Sequence, residues 1–300
     1  MGSKGWRAIL LRLLSIAINS VNIFWMLLSC FMFATMGACV KLVAPFFNAG
    51  QTVLTRGLIP VVLIGGWMLW QGASLRTPHW RSHLARSAAG ATSMIMFFAA
   101  ISLLPLAAAV TLNNTSALIM AGLFAFRQRP PAYLVFGLVL GLVGVAMLLQ
   151  PSFSSSQWVG VLLGVCSAFL SSVALLNLRD LARAGEPEWR TVLILSMMMS
   201  TLSFPVSLSM PSNAAAAGLN EWSLLLAVGI CGGVGQLSLT RAYRYGRTLV
   251  TASLGYATVV FSSLYGVFVW GEHLSPAAWA GIVAIVIAGL ITTWQPQRKK

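Results

Sequence analysis

Acidic side chains are scarce in this sequence. Its 300 residues include five Asp or Glu residues against 19 Lys or Arg residues. Charged residues make up 8% of the chain, whereas a soluble domain carries about 25%. The hydrophobic share is 58% and the mean hydropathy is +0.85. Since apolar runs near the ~20 residues needed to cross a bilayer recur along the whole chain, the composition excludes a water-soluble protein and indicates a polytopic helical membrane protein.

Residues for several kinds of chemistry are also missing. The chain has no G-x-x-x-x-G-K-[ST] motif and no soluble stretch large enough for a nucleotide domain, which excludes an ATPase. All five acidic residues fall in loops or at the ends of apolar runs, so a proton relay through a membrane-buried carboxylate is not expected. We therefore expect a protein that is not an enzyme and that uses no cofactor.

Cysteine and histidine give no metal-site pattern. The four cysteines lie inside apolar runs without the spacing of metal ligands, and small packing residues are a better interpretation than disulfides: Cys30, Cys39, Cys166 and Cys231. His79 and His83 share a helical face but have no third ligand nearby, and they are interpreted as solvated loop residues. No metal site is predicted.

What the sequence does contain is a series of apolar runs separated by short turns. We predict an all-α integral membrane fold with ten transmembrane helices at residues 23–42, 51–70, 86–104, 106–126, 132–149, 158–177, 190–210, 222–240, 249–270 and 276–294. Residues 1–22 are predicted to be a cytoplasmic or interfacial lead-in, because no small-residue cleavage site follows the basic start.

The positions of the basic residues support ten spans. With the N-terminus in the cytoplasm, every Lys and Arg except Lys41 and Arg56 falls in a cytoplasmic segment, including Arg76, Arg81 and Arg86 between the second and third spans. Cytoplasmic loops of membrane proteins are enriched in these residues. The prediction is that both termini are cytoplasmic, and the net charge of +14 then indicates no nucleic-acid partner.

The same plan of spans and turns occurs twice. Residues 97–151 and 239–296 align with few identities, and Asn114 falls opposite Tyr256. We predict a first five-helix repeat at residues 23–151, a second at 152–296, and a basic cytoplasmic tail at 297–300. Because five is odd, the second repeat crosses the membrane in the opposite sense. Inverted repeats are typical of secondary transporters.

One segment carries a family resemblance. Residues 242–272 read AYRYGRTLVTASLGYATVVFSSLYGVFVWGE, and with the two five-helix units this resembles the EamA-type branch of the drug/metabolite transporter superfamily. The first repeat departs from the pattern, since Arg127-Gln128-Arg129 stands where the family often has a glycine–glutamate pair. The resemblance implies secondary transport, and amino-acid exporters are the nearest guess within the branch.

Two cations remain within the predicted spans. Lys41 lies at the outer end of its helix, where its side chain can reach the headgroups. Arg56 lies deeper, and Pro60 deprives its carbonyl of a helical partner. A charge within the bilayer is a functional candidate. For Arg56 two alternatives remain open: the side chain lines a polar cavity, or it holds helices together through polar contacts.

Polar residues near mid-membrane complete the candidate site. Asn113 and Asn114 in the fourth span and Tyr256 in the ninth lie at equivalent depths of the two repeats, as a central site requires; interhelical hydrogen bonding is the alternative. Gln236 and Ser171 are further candidates, and Phe97 could contribute to an apolar wall.

The predicted function is a secondary transporter, most simply an exporter of small polar metabolites such as amino acids. The expected surroundings are the lipid bilayer of a bacterial inner membrane, with the protein a monomer or weak homodimer. Nucleoside, quaternary-amine or nucleotide-like substrates, and a non-transporting scaffold, are the alternatives.

Overall fold

The computed structural model describes residues 3–104, 106–125, 130–150, 157–209, 211–271 and 273–293, and of residues 3–20, 98, 101–102 and 106–108 only the backbone. The Arg127–Arg129 turn, Glu272 and the tail at 297–300 lie outside the described residues.

In the described part of the chain, all regular structure is helical. A short 3-10 turn at Ala214–Ala216 precedes α9, and the α-helices are α1 (Ser3–Val43), α2 (Ala49–Trp70), α3 (Trp80–Leu103), α4 (Leu106–Asn114), α5 (Ser116–Ala125), α6 (Ala132–Leu149), α7 (Trp158–Arg183), α8 (Glu188–Ser209), α9 (Leu219–Tyr245), α10 (Thr248–Leu254), α11 (Ala257–Trp270) and α12 (Pro276–Thr293).

Length and composition make this an integral membrane protein. Among the described residues, 8 helical segments are long and apolar enough to cross a bilayer, with α10 and α11 counted together as Thr248–Trp270, and Ala109–Ala125 is a shorter apolar segment. Many large apolar side chains, such as Leu69 at 76% exposure and Phe268 at 82%, point away from the protein interior. Such a surface suits lipid rather than water.

Helix ends are fixed locally where the chain turns. Asn48 caps α2 by accepting a hydrogen bond from Gln51 N at 2.8 Å, while the Gln51 side chain accepts from Asn48 N at 3.1 Å. Glu221 accepts from Gly218 N at 2.8 Å at the start of α9. These reciprocal bonds satisfy backbone donors that a helix leaves unpaired in its first turn.

The main helix pairs relate the first half of the chain to the second. Helix α1 packs on α9 and α3 packs on α7, while α2 packs on α8 and α6 packs on α12. The α6–α12 pair is especially close, because a Cβ on Gly144 would lie 2.7 Å from the Gly281 carbonyl oxygen. The helices at corresponding places in the two halves are α1 and α7, α2 and α8, α3 and α9, and α6 and α12. When each helix is replaced by its counterpart, the α1–α9 pair becomes the α7–α3 pair, and the α2–α8 and α6–α12 pairs are unchanged.

The fourth and ninth predicted spans are each divided in two. Thr115 separates α4 from α5, and Gly255 and Tyr256 separate α10 from α11. At both places the backbone uses i→i−3 bonds, such as Thr115 N to Leu112 O at 3.0 Å and Tyr256 N to Ser253 O at 3.2 Å. These tightened turns leave carbonyl groups to be satisfied by side chains.

Side chains of the neighbouring helices lie within hydrogen-bond distance of carbonyl groups at both turns. Ser172 Oγ in α7 donates to the Ser116 carbonyl at 2.7 Å, and Cys30 Sγ in α1 lies 3.5 Å from the Leu254 carbonyl oxygen. Ser172 and Cys30 are separated by the same interval as Tyr256 and Asn114. The two interruptions therefore lie at corresponding positions of the sequence alignment and have similar support.

Two expectations from the sequence are wrong. Arg86, counted among the cytoplasmic basic residues at the start of the predicted third span, is 4% exposed and lies within α3, which begins at Trp80. His83, interpreted as solvated, is 0% exposed and faces Glu186. Both errors have one cause: α3 begins earlier than its apolar run, so its first turns are buried although their sequence is polar.

Candidate substrate-binding site

A central cavity of about 310 Å³ lies where the two divided spans face each other. It borders both interruptions, at Asn114 and Ser116 on one side and at Gly255 and Tyr256 on the other. Helices of both halves line it, since Arg86 and Met94 come from α3 whereas Leu195 and Met199 come from α8. Its volume is at the lower end of the range typical of small-molecule sites.

Pairs of lining residues occupy equivalent positions in the two halves. Asn114 and Tyr256 are separated by the same interval as Ser116 and Thr258 and as Met94 and Gln236. The chemistry of each pair differs, however, so the two sides of the cavity offer a ligand different groups.

Amide and hydroxyl groups form the wall of the cavity at α4, α5 and α7. Ser171 Oγ lies 2.7 Å from Ser93 Oγ, and Ser167 Oγ donates to Asn113 Oδ1 at 3.3 Å. Asn114 Nδ2 donates to the Val110 carbonyl at 2.8 Å, a bond that does not use its side-chain oxygen. Such groups can donate and accept hydrogen bonds, which suits a polar ligand.

Tyr256 contributes mainly its ring to this site. The residue is 1% exposed, its ring contacts Gly141 of α6, and its hydroxyl donates to the Leu138 carbonyl at 3.3 Å. A glycine is needed at 141 because a Cβ there would overlap the ring. The Tyr256 hydroxyl is thus used between helices.

Two arginines reach the same cavity from α2 and α3. Arg56 Nη1 contacts Met94 Sδ at 3.3 Å, and its guanidinium carbon lies 5.8 Å from the centre of the Phe33 ring. Arg86 is nearly fully buried, and its Nε has no hydrogen-bond partner in the described part of the chain. The site therefore carries positive charge.

Six of the eight predicted site residues line the cavity: Asn113, Asn114, Tyr256, Gln236, Arg56 and Ser171. The other two are elsewhere. Phe97 packs against Ala100 and Leu104, and exposed Lys41 places Nζ 4.1 Å from the centre of the Trp270 ring. Sequence reasoning missed Arg86. The alignment of the two repeats gives no signal for this residue. A predicted third helix that began before residue 86 would have placed Arg86 inside the helix.

Another arginine-containing cluster lies at the loop ends of α3 and α8. Glu186 Oε2 lies 2.7 Å from Arg190 Nη1 and 3.3 Å from His83 Nε2, and Thr77 Oγ1 donates to Glu186 Oε1. Burial raises the pKa of Glu186, but hydrogen bonds from Thr77, Arg190 and His83 outweigh it and hold the pKa below its usual value. The cluster joins the first half of the chain to the second.

Comparison with known proteins agrees with this architecture. The sequence matches the EamA-like transporter family twice, over residues 20–150 and 158–294. It is 30% identical over 264 residues to the pseudopaline exporter CntI of Pseudomonas aeruginosa strain UCBPP-PA14, covering 87% of this chain and 92% of the relative. A riboflavin transporter of Brucella anthropi is 25% identical over 261 residues, covering 81% and 91% of the two chains.

The fold also occurs in a solved structure titled "Crystal structure of protein". The TM-score is 0.79 at 21% sequence identity, with 92% of this chain and 98% of that chain covered. At this identity the likeness concerns the fold. The family match, which covers nearly the whole sequence in two segments, settles the membership: the chain belongs to the EamA-like transporter family.

Proposed function

We propose that this membrane transporter exports small polar metabolites, with amino acids as the first candidates. The observation that carries the proposal is the central cavity, which borders the interruptions of two spans and is lined by both halves of the chain. Interrupted helices at the interface of two repeats form the binding sites of many secondary transporters.

Alternating access of two inverted five-helix repeats, at residues 23–151 and 152–296, is the proposed mechanism. The reciprocal helix pairs and the double family match support it. The Glu186 cluster joins the two halves through Thr77 and His83, and these contacts would separate when the halves move apart at that end. Opening at the other end would then expose the cavity to the opposite side.

Ten spans with both termini in the cytoplasm of a bacterium are part of the proposal. The distribution of Lys and Arg residues supports this arrangement. A reporter fused after Lys300 should be cytoplasmic, and a cysteine introduced at Ser155 should react with an impermeant reagent from outside. Reaction of that cysteine only from the cytoplasmic side would contradict the inverted repeat as well as the topology. A monomer or weak homodimer is expected.

A facilitator or substrate exchanger is the expected mode of coupling. Among the described acidic residues, Glu186 lies between α7 and α8, and Asp180, Glu188 and Glu221 lie in the first or last turn of a helix, so none is placed in the middle of a described helix where a carboxylate relay for protons would need it. Uphill transport driven by a pH gradient alone, in vesicles without counter-substrate, would contradict this expectation.

Transport itself is best tested with purified full-length protein in vesicles. Efflux of a panel of labelled amino acids should depend on the protein, and Asn114→Ala should reduce it, because the Asn114 amide lines the cavity. Asn177→Ala is the matched control and should leave efflux unchanged, since the Asn177 amide also donates to the carbonyl four residues earlier, at 2.9 Å, but does not line the cavity. Absence of protein-dependent efflux for the whole panel would overturn the amino-acid assignment.

The charge of the cavity also ranks the alternatives. Arg56 and Arg86 repel cations, which disfavours a quaternary amine as substrate. A nucleotide-like anion is compatible with the two arginines, and it remains the second candidate for that reason.

A further inference from the structure

We propose that Arg56 and Arg86 form a divided anion site, so that the ligand of the central cavity carries at least two negative charges, as carboxylates or as phosphate. This inference rests on the proposed function only in taking the central cavity as the transport site. It adds the ligand's charge and the two residues that recognise it.

The first observation is that neither arginine has a carboxylate partner among the residues that the structure describes. Each ion pair formed among the described residues uses another cation, namely His83, Arg179, Arg190 or Arg244. Of the acidic residues in the described part of the chain, Asp180, Glu186 and Glu188 belong to those pairs, and Glu221 caps the start of α9. No described acidic residue lies among those that line the cavity.

The second observation is that the groups contacting the arginines are uncharged and weak as hydrogen-bond acceptors. Arg86 is 4% exposed, and its Nε has no hydrogen-bond partner. Arg56 contacts a methionine sulfur, which is a weak acceptor, and a phenylalanine ring. These contacts hold the side chains without neutralising them. Donors therefore remain available to a ligand.

The physical cost of this arrangement points to an anion. A buried charge without a partner is strongly unfavourable, and two cations in one low-dielectric cavity also repel each other. One negative charge can compensate only one guanidinium, whereas two can restore neutrality. Guanidinium groups bind carboxylate and phosphate through paired hydrogen bonds, which gives geometric selectivity as well as attraction.

A glycine lies beside each of the two arginines, and the one beside Arg56 leaves room that its side chain needs. A Cβ on Gly232 of α9 would lie 3.0 Å from Arg56 Cγ, so an alanine there would press on the side chain. A Cβ on Gly90 of α3 would lie 3.8 Å from Arg86 Nη1. Gly90 and Gly232 are separated by the same interval as Asn114 and Tyr256. Each half thus places a glycine beside one arginine.

Binding to the purified full-length protein in detergent tests the proposal without requiring transport. The probes are succinate, its half-amide succinamate and inorganic phosphate, titrated at constant ionic strength while the unfolding midpoint is followed. A ligand that binds the folded state raises this midpoint by mass action. We expect succinate to bind about tenfold more tightly than succinamate, since each charge-assisted contact contributes on that order.

Substitution of either arginine should remove this preference. Arg86→Gln and Arg56→Gln should each weaken succinate binding about tenfold and bring it close to that of succinamate. Arg76→Gln, which changes an exposed arginine in the loop between α2 and α3, is the matched control and should bind as wild type does. Phosphate binding as tight as that of succinate would assign one doubly charged group in place of two carboxylates.

Equal binding of succinate and succinamate, or a wild-type preference in Arg86→Gln, would overturn the anion site. These outcomes are separable from failure of the proposed function. Efflux of neutral amino acids together with equal binding of the two probes would leave transport standing and remove the anion site. A charge-dependent midpoint shift without efflux of any amino acid would leave the anion site and remove the amino-acid assignment.

Discussion

The protein contains two buried arginine-bearing regions that differ in their counter-charges. In the Glu186 cluster, Arg190 contacts a carboxylate at 2.7 Å and also donates to the Ser74 carbonyl at 2.9 Å. In the cavity, Arg56 and Arg86 contact no described carboxylate. Removal of one partner from a matched pair leaves an uncompensated charge and destabilises the fold, whereas an arginine without a carboxylate partner can bind an anionic ligand.

Removal of the carboxylate in the first region should have the largest effect on stability. Glu186→Ala leaves Arg190 and His83 without their partner, and loss of one partner of a buried pair costs about 3 kcal/mol. The free energy of unfolding, measured in detergent, should fall by roughly this amount. A variant as stable as wild type would remove the distinction between the two regions.

In the cavity, by contrast, we expect a substitution to raise the free energy of unfolding. Arg86→Met removes an uncompensated charge and fills the space with an apolar side chain, so the ligand-free protein should gain about 1–2 kcal/mol. The same unfolding measurement checks it. If Arg86→Met destabilises the protein as Glu186→Ala does, Arg86 is part of the structural framework.

A smaller effect should follow from crowding Arg56 without changing its charge. Gly232→Ala places a methyl group against the Arg56 stem, and we expect succinate affinity to fall by roughly threefold while stability changes by less than about 1 kcal/mol. Gly65→Ala is the matched control, because a Cβ at Gly65 meets nothing within 4 Å. Equal effects of the two substitutions on affinity would mean that Arg56 does not need its observed position.

The smallest effect is the pH dependence of stability, which should come from the titration of His83 and Glu186 in the first region. Burial lowers the pKa of His83, so the unfolded chain takes up this proton at a higher pH and stability begins to fall below about pH 6.5. The lowered pKa of Glu186 adds a loss at more acidic pH, when the folded carboxylate is protonated.

Unfolding midpoints at successive pH values check this prediction. The double variant His83→Gln with Glu186→Gln should have a flatter profile than wild type. Arg76→Gln is the control and should retain the wild-type shape, because Arg76 is exposed and is not among the charges that shift the pKa of His83 or of Glu186. A profile that is unchanged in the double variant would assign the acid sensitivity to another region.

The sequence predicted the helical membrane fold well because its signal is local. Runs such as residues 132–149 coincide with α6, Ala132–Leu149, since an apolar run of this length has few alternatives to a spanning helix. The alignment of Asn114 with Tyr256 likewise predicted which part of each repeat borders the cavity. The divisions at Thr115 and Gly255 were not predicted, because a tightened turn needs no proline and leaves no break in the hydrophobic pattern.

The composition alone determined that this chain enters a membrane, and the scarcity of Asp and Glu determined that few of its arginines could be paired within the protein. The Arg190–Glu186 pair joins residues four apart in the sequence, so local spacing already permits it. Only the tertiary structure decided that His83 and Thr77 reach the same carboxylate, and that Arg86 is buried where α3 packs along α7 and α8 without a carboxylate among the described residues. Burial of a charge depends on contacts between distant segments, and these contacts are not encoded in the local spacing of residues.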